Sequence, residues 1–248
     1  MGILAVFSAT DGDAEDFRVL PYLQHPTPDA ISVLWFSDSD QPGVLELVSR
    51  DESLMSEVIH AESLAYPPWE VASFFADAPP VAPFRHRVRI DGLTPSTAYT
   101  YRVHQGESVF EGEFKSAPAS TDREPVRLIF FADSETEPES TGKRVDWPDP
   151  ANLQQARLYL LDQTTGLMNN LQVILDRQPD LLGIAGDLVE SGGEQRDWDE
   201  FWRHMTDVAG TNLAARVPLI VAAGNHEYYQ GPKMSGYNQP GSERAISR

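Results

Sequence analysis

Cysteine is missing from this 248-residue chain, which excludes disulfides, zinc–thiolate sites and thiol nucleophiles. Long apolar runs are missing too. No stretch approaches the roughly 18 apolar residues of a membrane-spanning helix, so no membrane partner is expected. Positive charge is scarce: 19 Lys and Arg face 38 Asp and Glu, a formal net charge of −19. A surface of that sign repels phosphate backbones, so no nucleic-acid partner is expected either. Small phosphate esters stay open as substrates, because a bound metal ion dominates its own local field. Acidity with little lysine suits a secreted or periplasmic setting. The short apolar run at 3–9 is either the remnant of a trimmed signal peptide or a frayed N-terminal segment.

What is present divides into two halves with different periods. Residues 1–16 form an N-terminal segment, and 17–117 read as β-structure throughout. The runs at 30–36 (AISVLWF), 43–48 (GVLELV) and 84–90 (FRHRVRI) alternate, as strands with one wet face do. Leu93, Pro95 and Tyr99 carry the spacing of a tyrosine corner in a β-sandwich. The stretch resembles a fibronectin type III domain. The proline-rich interval 66–83 reads as a long loop whose Trp69, Phe74 and Phe75 either rim a cleft or pack onto the sandwich. Residues 118–125 are a small, polar, proline-bounded linker.

From 126 to 248 the pattern is βαβ. Strands are expected at 126–132, 181–185 and 217–223. One helix is expected from about 150 to 177, with Leu160, Thr164, Leu167, Leu171 and Ile174 on a stripe. A second is expected from about 195 to 208, with Trp198, Phe201, Trp202 and Met205 at core spacing. Parallel strands with crossover helices imply helices on both faces of the sheet. His204, off that stripe, is expected at the surface.

Each of the three strands empties into a hard ligand. The first ends at Asp133-Ser134-Glu135, the second at Gly186-Asp187, the third at Gly224-Asn225-His226-Glu227. Ligands of open α/β sheets bind beyond the carboxyl ends of the strands. Oxygen donors from three such ends describe a divalent-metal phosphoester site. Hydrolysis of a phosphate ester needs charge neutralisation and a strong nucleophile, and two metal ions sharing a water supply both as a metal-bound hydroxide. Asp187 is the natural bridge, since one carboxylate can ligate two cations. Asp133 would hold one ion and Asn225 the other. His226 would bind phosphate or protonate the leaving group.

These blocks, with 54 residues between the two aspartates and 38 between Asp187 and Asn225, resemble the calcineurin-like metallophosphoesterases. With a sandwich in front, they are similar to the purple acid phosphatases. The resemblance implies a β-sandwich followed by a layered α/β phosphoesterase domain. It implies a phosphatase or phosphodiesterase with two divalent ions drawn from Fe, Zn, Mn or Ca, and a small phosphate-ester substrate. It assigns Asp133 to metal one, Asp187 to the bridge, Asn225 to metal two and His226 to catalysis.

Three departures stand out. Glu135 occupies a place usually held by His or Gly and is either a ligand or an outward-facing side chain. Glu190 stands where purple acid phosphatases carry the iron-binding tyrosine, so a colourless protein is expected. The later histidine blocks of the family are absent. The chain is therefore expected to be the N-terminal part of a phosphoesterase domain, apparently truncated at its C-terminus, with the remaining C-terminal part as partner. The alternative is a non-catalytic binding protein with an incomplete phosphatase-like domain. Tyr228, Tyr229 and Tyr237 either line the pocket or pack.

Overall fold

Alternation in the first half builds eight strands. They are β1 (Val19–Gln24), β2 (Ala30–Ser37), β3 (Val44–Val48), β4 (Glu57–His60), β5 (Glu62–Ala65), β6 (Phe84–Asp91), β7 (Ala98–Gln105) and β8 (Ser108–Lys115). The computed structural model describes residues 16–48, 57–65, 82–136, 163–206, 212–231 and 234–235. The strands pair antiparallel in two layers, β5-β6-β2-β1 and β4-β3-β7-β8. Between them Leu23, Ile31, Val33, Trp35, Leu45, Ile90, Tyr101 and Val103 form a core. The tyrosine corner closes as its spacing predicts: the Thr94 N–H donates to the Tyr99 hydroxyl at 2.8 Å. The aromatics Trp69, Phe74 and Phe75 lie outside the described residues.

The second half supplies β9 (Leu128–Phe131), α1 (Gln163–Asp176), β10 (Leu181–Ala185), α2 (Gln195–Thr206) and β11 (Leu219–Ala222). The three strands are parallel and adjacent, in the order β11-β10-β9. β9 and β11 are shorter than the apolar runs that announce them. At the start of β11, Pro218 has no N–H for the ladder, and the Val217 N–H donates to Leu213 O in a turn at 2.9 Å.

The expectation of helices on both faces is overturned among the described residues. Leu167, Leu171 and Ile174 of α1 share one cluster with Phe201 and Met205 of α2, and with Leu182, Ile184 and Leu219 of the strands. Handedness explains it. The chain steps from β9 to β10 to β11 in one direction, and right-handed crossovers in one direction leave every helix on one face. The opposite face exposes Leu128, Phe130 and Ile220, with Phe130 at 66%.

β1 also pairs in parallel with β11, at Gln24 and Leu219, so one seven-stranded sheet runs through both halves. Every residue of β2 is buried, because both faces carry a core. Ile31, Val33 and Trp35 point into the sandwich, while Leu34 and Phe36 join Tyr22 in the α/β cluster. The seam is reinforced by polar contacts. The Leu23 N–H donates to Ala214 O at 2.9 Å. Arg18 bridges Asp38 at 2.9 Å and Asp199 of α2 at 2.7 Å. The Tyr22 and Trp202 rings stack with centroids 4.0 Å apart. The Tyr101 hydroxyl, wholly buried, donates to Ala215 O at 3.0 Å. Burial raises that phenol far above its usual pKa, so it stays a donor at any working pH.

Tyr101→Phe removes that donor and leaves a buried carbonyl short of a partner. The expected loss is about 1–2 kcal/mol of unfolding free energy, measured by urea titration, with the fluorescence of both halves lost in one transition because the seam joins them.

Candidate metal centre

The loops that follow β9, β10 and β11 are zipped together before any ligand is considered. The Asp133 N–H donates to Gly186 O at 3.2 Å, Glu135 N–H to Asp187 O at 2.9 Å and Thr136 N–H to Leu188 O at 3.2 Å. Leu188 O also accepts the Ser134 hydroxyl at 2.9 Å and the Thr136 hydroxyl at 3.1 Å. Asp133, Glu135 and Asp187 all have left-handed backbone, with φ of 57°, 39° and 52°. Non-glycine residues take that conformation at a cost of order 1 kcal/mol each, so the surroundings must impose it. Two glycines permit the close approach of the second and third loops. A Cβ on Gly186 would lie 2.6 Å from Gly224 N, and one on Gly224 would lie 2.2 Å from Asp187 Oδ1.

Glu227 holds the second and third loops together. Its carboxylate, 4% exposed, accepts Leu188 N–H at 2.7 Å, Asp187 N–H at 3.0 Å and Gly224 N–H at 2.6 Å. Glu227 was visible in the sequence only as the last letter of the Gly-Asn-His-Glu turn. Its offset from Gly224 matches a capping carboxylate, but its grip on a loop 40 residues upstream appears only in three dimensions.

The expected donors converge in part. Asp133, Glu135 and Asp187 each bring a carboxylate oxygen within 4.8 Å of the other two. Glu135 thus places its carboxylate beside the two aspartates. Oxygen donors at this spacing fit a hard divalent ion. Asp187 Oδ1 also accepts the His226 N–H at 2.9 Å, fixing the third loop to the second. Asn225 is exposed at the same edge, and its side-chain amide donates to the Tyr229 hydroxyl at 3.2 Å.

His226 is held from two sides. Its Nδ1–H donates to the Glu190 carbonyl at 2.9 Å. A carbonyl only accepts, so Nδ1 carries the proton and Nε2 is left for chemistry. Nε2 lies 3.8 Å from Glu135 Oε1, and the Tyr229 ring packs at a centroid distance of 4.8 Å. His204 does not join the site, and its expected surface position is corrected. It is 1% exposed, with Nε2 3.1 Å from Glu200 one turn earlier on α2. A buried carboxylate four residues back draws in a side chain that the apolar stripe alone leaves outside. Tyr237 lies outside the described residues.

Glu227→Gln supplies one acceptor oxygen for three donors and turns an amide N–H₂ toward them. The expected result is a loss of about 2 kcal/mol or more of stability, together with weakened metal binding. Thermal melts with and without Mn²⁺ check both: the metal-induced rise in Tm should shrink along with the Tm itself.

Comparison with known proteins agrees with this geometry. The calcineurin-like phosphoesterase family model matches residues 160–245. Two curated relatives, both from Arabidopsis thaliana, are "probable inactive purple acid phosphatase 27", 27% identical over 58% of this chain, and "probable inactive purple acid phosphatase 1", 28% identical over 57%. The matches cover 22% and 21% of those proteins, so the chain spans about a fifth of their length. Among solved structures, a purple acid phosphatase from yellow lupin (Lupinus luteus) seeds superposes with a TM-score of 0.63. That match has 18% identity and covers 91% of this chain and 38% of the lupin chain. The chain therefore has a purple acid phosphatase-like fold, and its residues 160–245 match the calcineurin-like phosphoesterase family.

Proposed function

We propose that this chain carries the metal-binding edge of a phosphoester hydrolase acting on small phosphate esters, as a phosphatase or phosphodiesterase. The observation that carries this reading is the convergence of Asp133, Glu135 and Asp187 at two zipped strand ends. Asp133, Glu135 and Asp187 would hold divalent ions, with Asn225 contributing to a second position and Asp187 shared. When bound, such a pair supplies charge neutralisation for the phosphate and an acidified water.

The remaining work falls to the chain. His226, held through Nδ1 by Glu190 O and through its backbone N–H by Asp187, presents Nε2 for proton transfer to the leaving oxygen. One turn therefore sets both a ligand and the proton donor. Tyr229 shields one side of that ring. The apolar sheet face around Phe130 and Ile220 supports a further proposal, that the remaining C-terminal part of the phosphoesterase domain packs there. A secreted or periplasmic site of action belongs to the same proposal. Among the described residues no helix is long and apolar enough to cross a membrane.

A second reading is a non-catalytic binding protein. It is favoured by the word "inactive" in the names of the Arabidopsis relatives.

Phosphate release from a chromogenic monoester and diester, with Mn²⁺, Ca²⁺ or Zn²⁺ added, decides between them. Asp187→Ala is expected to lose both bound metal and turnover. His226→Ala should keep its metal and lower kcat by roughly 10²–10⁴, the range for a lost general acid. Full metal occupancy in Asp187→Ala, by elemental analysis, sinks the metal assignment. Metal bound by the unaltered protein with no turnover of either ester selects the binding reading.

A further inference from the structure

On the sheet face that carries α2 lies a cavity of about 300 Å³ that the chemistry above leaves unused. Its floor is the sheet: Tyr22 from β1, Leu34 and Phe36 from β2, and Arg85 from β6. Trp198 and Trp202 of α2 line it as well, and the Trp202 ring stacks on Tyr22 with centroids 4.0 Å apart. Val221 of β11 adds an apolar side chain that is 44% exposed. The cavity reaches the loops after β10 and β11 at Leu188, Ala223 and Glu227. Its walls are thus mostly flat rings. Small-molecule pockets run from about 300 to 1,000 Å³, so this one suits a ligand of one or two fused rings.

Positive charge stands beside those rings. Arg85, Arg87 and Arg89 alternate along β6, and their direct partners on β2 are Phe36, Leu34 and Ser32. Residues opposite one another in an antiparallel pair share a face, so all three arginines lie on the cavity side of the sheet. This row belongs to a chain in which 19 Lys and Arg face 38 Asp and Glu. Arg89 is neutralised by Asp91 at 2.9 Å. Arg87, next to Leu34 of the floor, is not: no carboxylate lies within 4.0 Å of it among the described residues. Glu62, opposite it on β5, is exposed and stays outside that range. An Arg87 terminal N–H reaches Ser32 Oγ at 3.5 Å, and the Nε–H is buried with no acceptor among the described residues. His25 is held below its usual pKa by burial and then by the charges of Arg87 and Arg89. We infer that this cavity binds a small planar aromatic molecule carrying one anionic group, its rings against Trp198, Trp202 and Phe36 and its anion on Arg87. A guanidinium presents a fork of N–H donors that matches a carboxylate. The inference is independent of the metal reading.

Calorimetric titration with 2-naphthoate, two fused rings and a carboxylate, tests this without any turnover. Its uncharged match, 2-naphthamide, has the same rings. The full chain should show one saturable site for 2-naphthoate and weaker binding of the amide. Arg87→Gln is expected to weaken 2-naphthoate about tenfold or more, as the loss of a charge-assisted hydrogen bond does, and to leave the amide unchanged. Val221→Phe places a ring in the cavity and should abolish binding of both probes. Thermal melts verify that each variant folds, and Arg87→Gln carries the test should Val221→Phe not fold. Absence of saturable 2-naphthoate binding, or binding that survives in folded Val221→Phe, overturns the pocket. Equal affinity for the two probes, unmoved by Arg87→Gln, overturns the anionic ligand.

Discussion

A single buried carboxylate organises the functional edge of this protein. Glu227 accepts three backbone N–H groups, two from the loop after β10 and one from its own turn after β11. Hydrogen bonds to a charged acceptor are each worth about 1.5–3 kcal/mol in mutational series. Three left-handed residues, Asp133, Glu135 and Asp187, oppose them at a cost of order 1 kcal/mol apiece. The carboxylate's bonds and the Leu188 carbonyl, which accepts from Ser134 and Thr136, outweigh that strain. Without Glu227, the Asp187 N–H and the buried Leu188 N–H would lose their acceptor, and Asp187 would keep its left-handed backbone only through the His226 and Glu135 amides.

The same logic of shared elements governs the larger architecture. β1 and β2 belong to a sandwich by their pairing and to an α/β layer by their packing. Every residue of β2 is buried because each face answers to a different core. That double duty fixes α2 in place through Tyr22 on Trp202 and Arg18 on Asp199. α2 in turn holds the loop that carries Glu190. Trp198 Nε1–H donates to Gly192 O at 2.8 Å, and Asp197 accepts the Ser191 N–H at 3.0 Å. A chain of contacts therefore runs from the sandwich to the loop that carries Asp187 and its neighbours.

Much of this was legible in the sequence. Alternation marked the sandwich strands, and the tyrosine corner is present where its spacing put it. An apolar run ending in Asp or Asn marked each functional strand end, because burial and ligation make opposite demands on adjacent residues. What the sequence concealed depends on distance along the chain. Glu227 reaches a loop about forty residues away, and nothing local announces it. Glu190 sits in a loop with no period to read, so its direction could not be inferred. His204 was hidden by the limits of an apolar stripe, which says nothing about a polar pair such as His204–Glu200 buried together.

The arrangement of helices separates pattern from consequence. The stripes hold at Leu167, Leu171 and Ile174 of α1 and at Phe201 and Met205 of α2, with Leu160 outside the described residues, yet both helices pack on one face of the sheet. Once β9, β10 and β11 are taken in sequential order, right-handed crossovers leave no freedom: both helices fall on the face that already carries Tyr22, Leu34 and Phe36. The face bearing Leu128, Phe130 and Ile220 is open among the described residues. The ligand loops lie at the end of those same strands. Whatever covers that face would therefore approach the clustered carboxylates of Asp133, Glu135 and Asp187 from the side opposite α1 and α2. The side already closed sets geometry, through buried carboxylate–amide bonds.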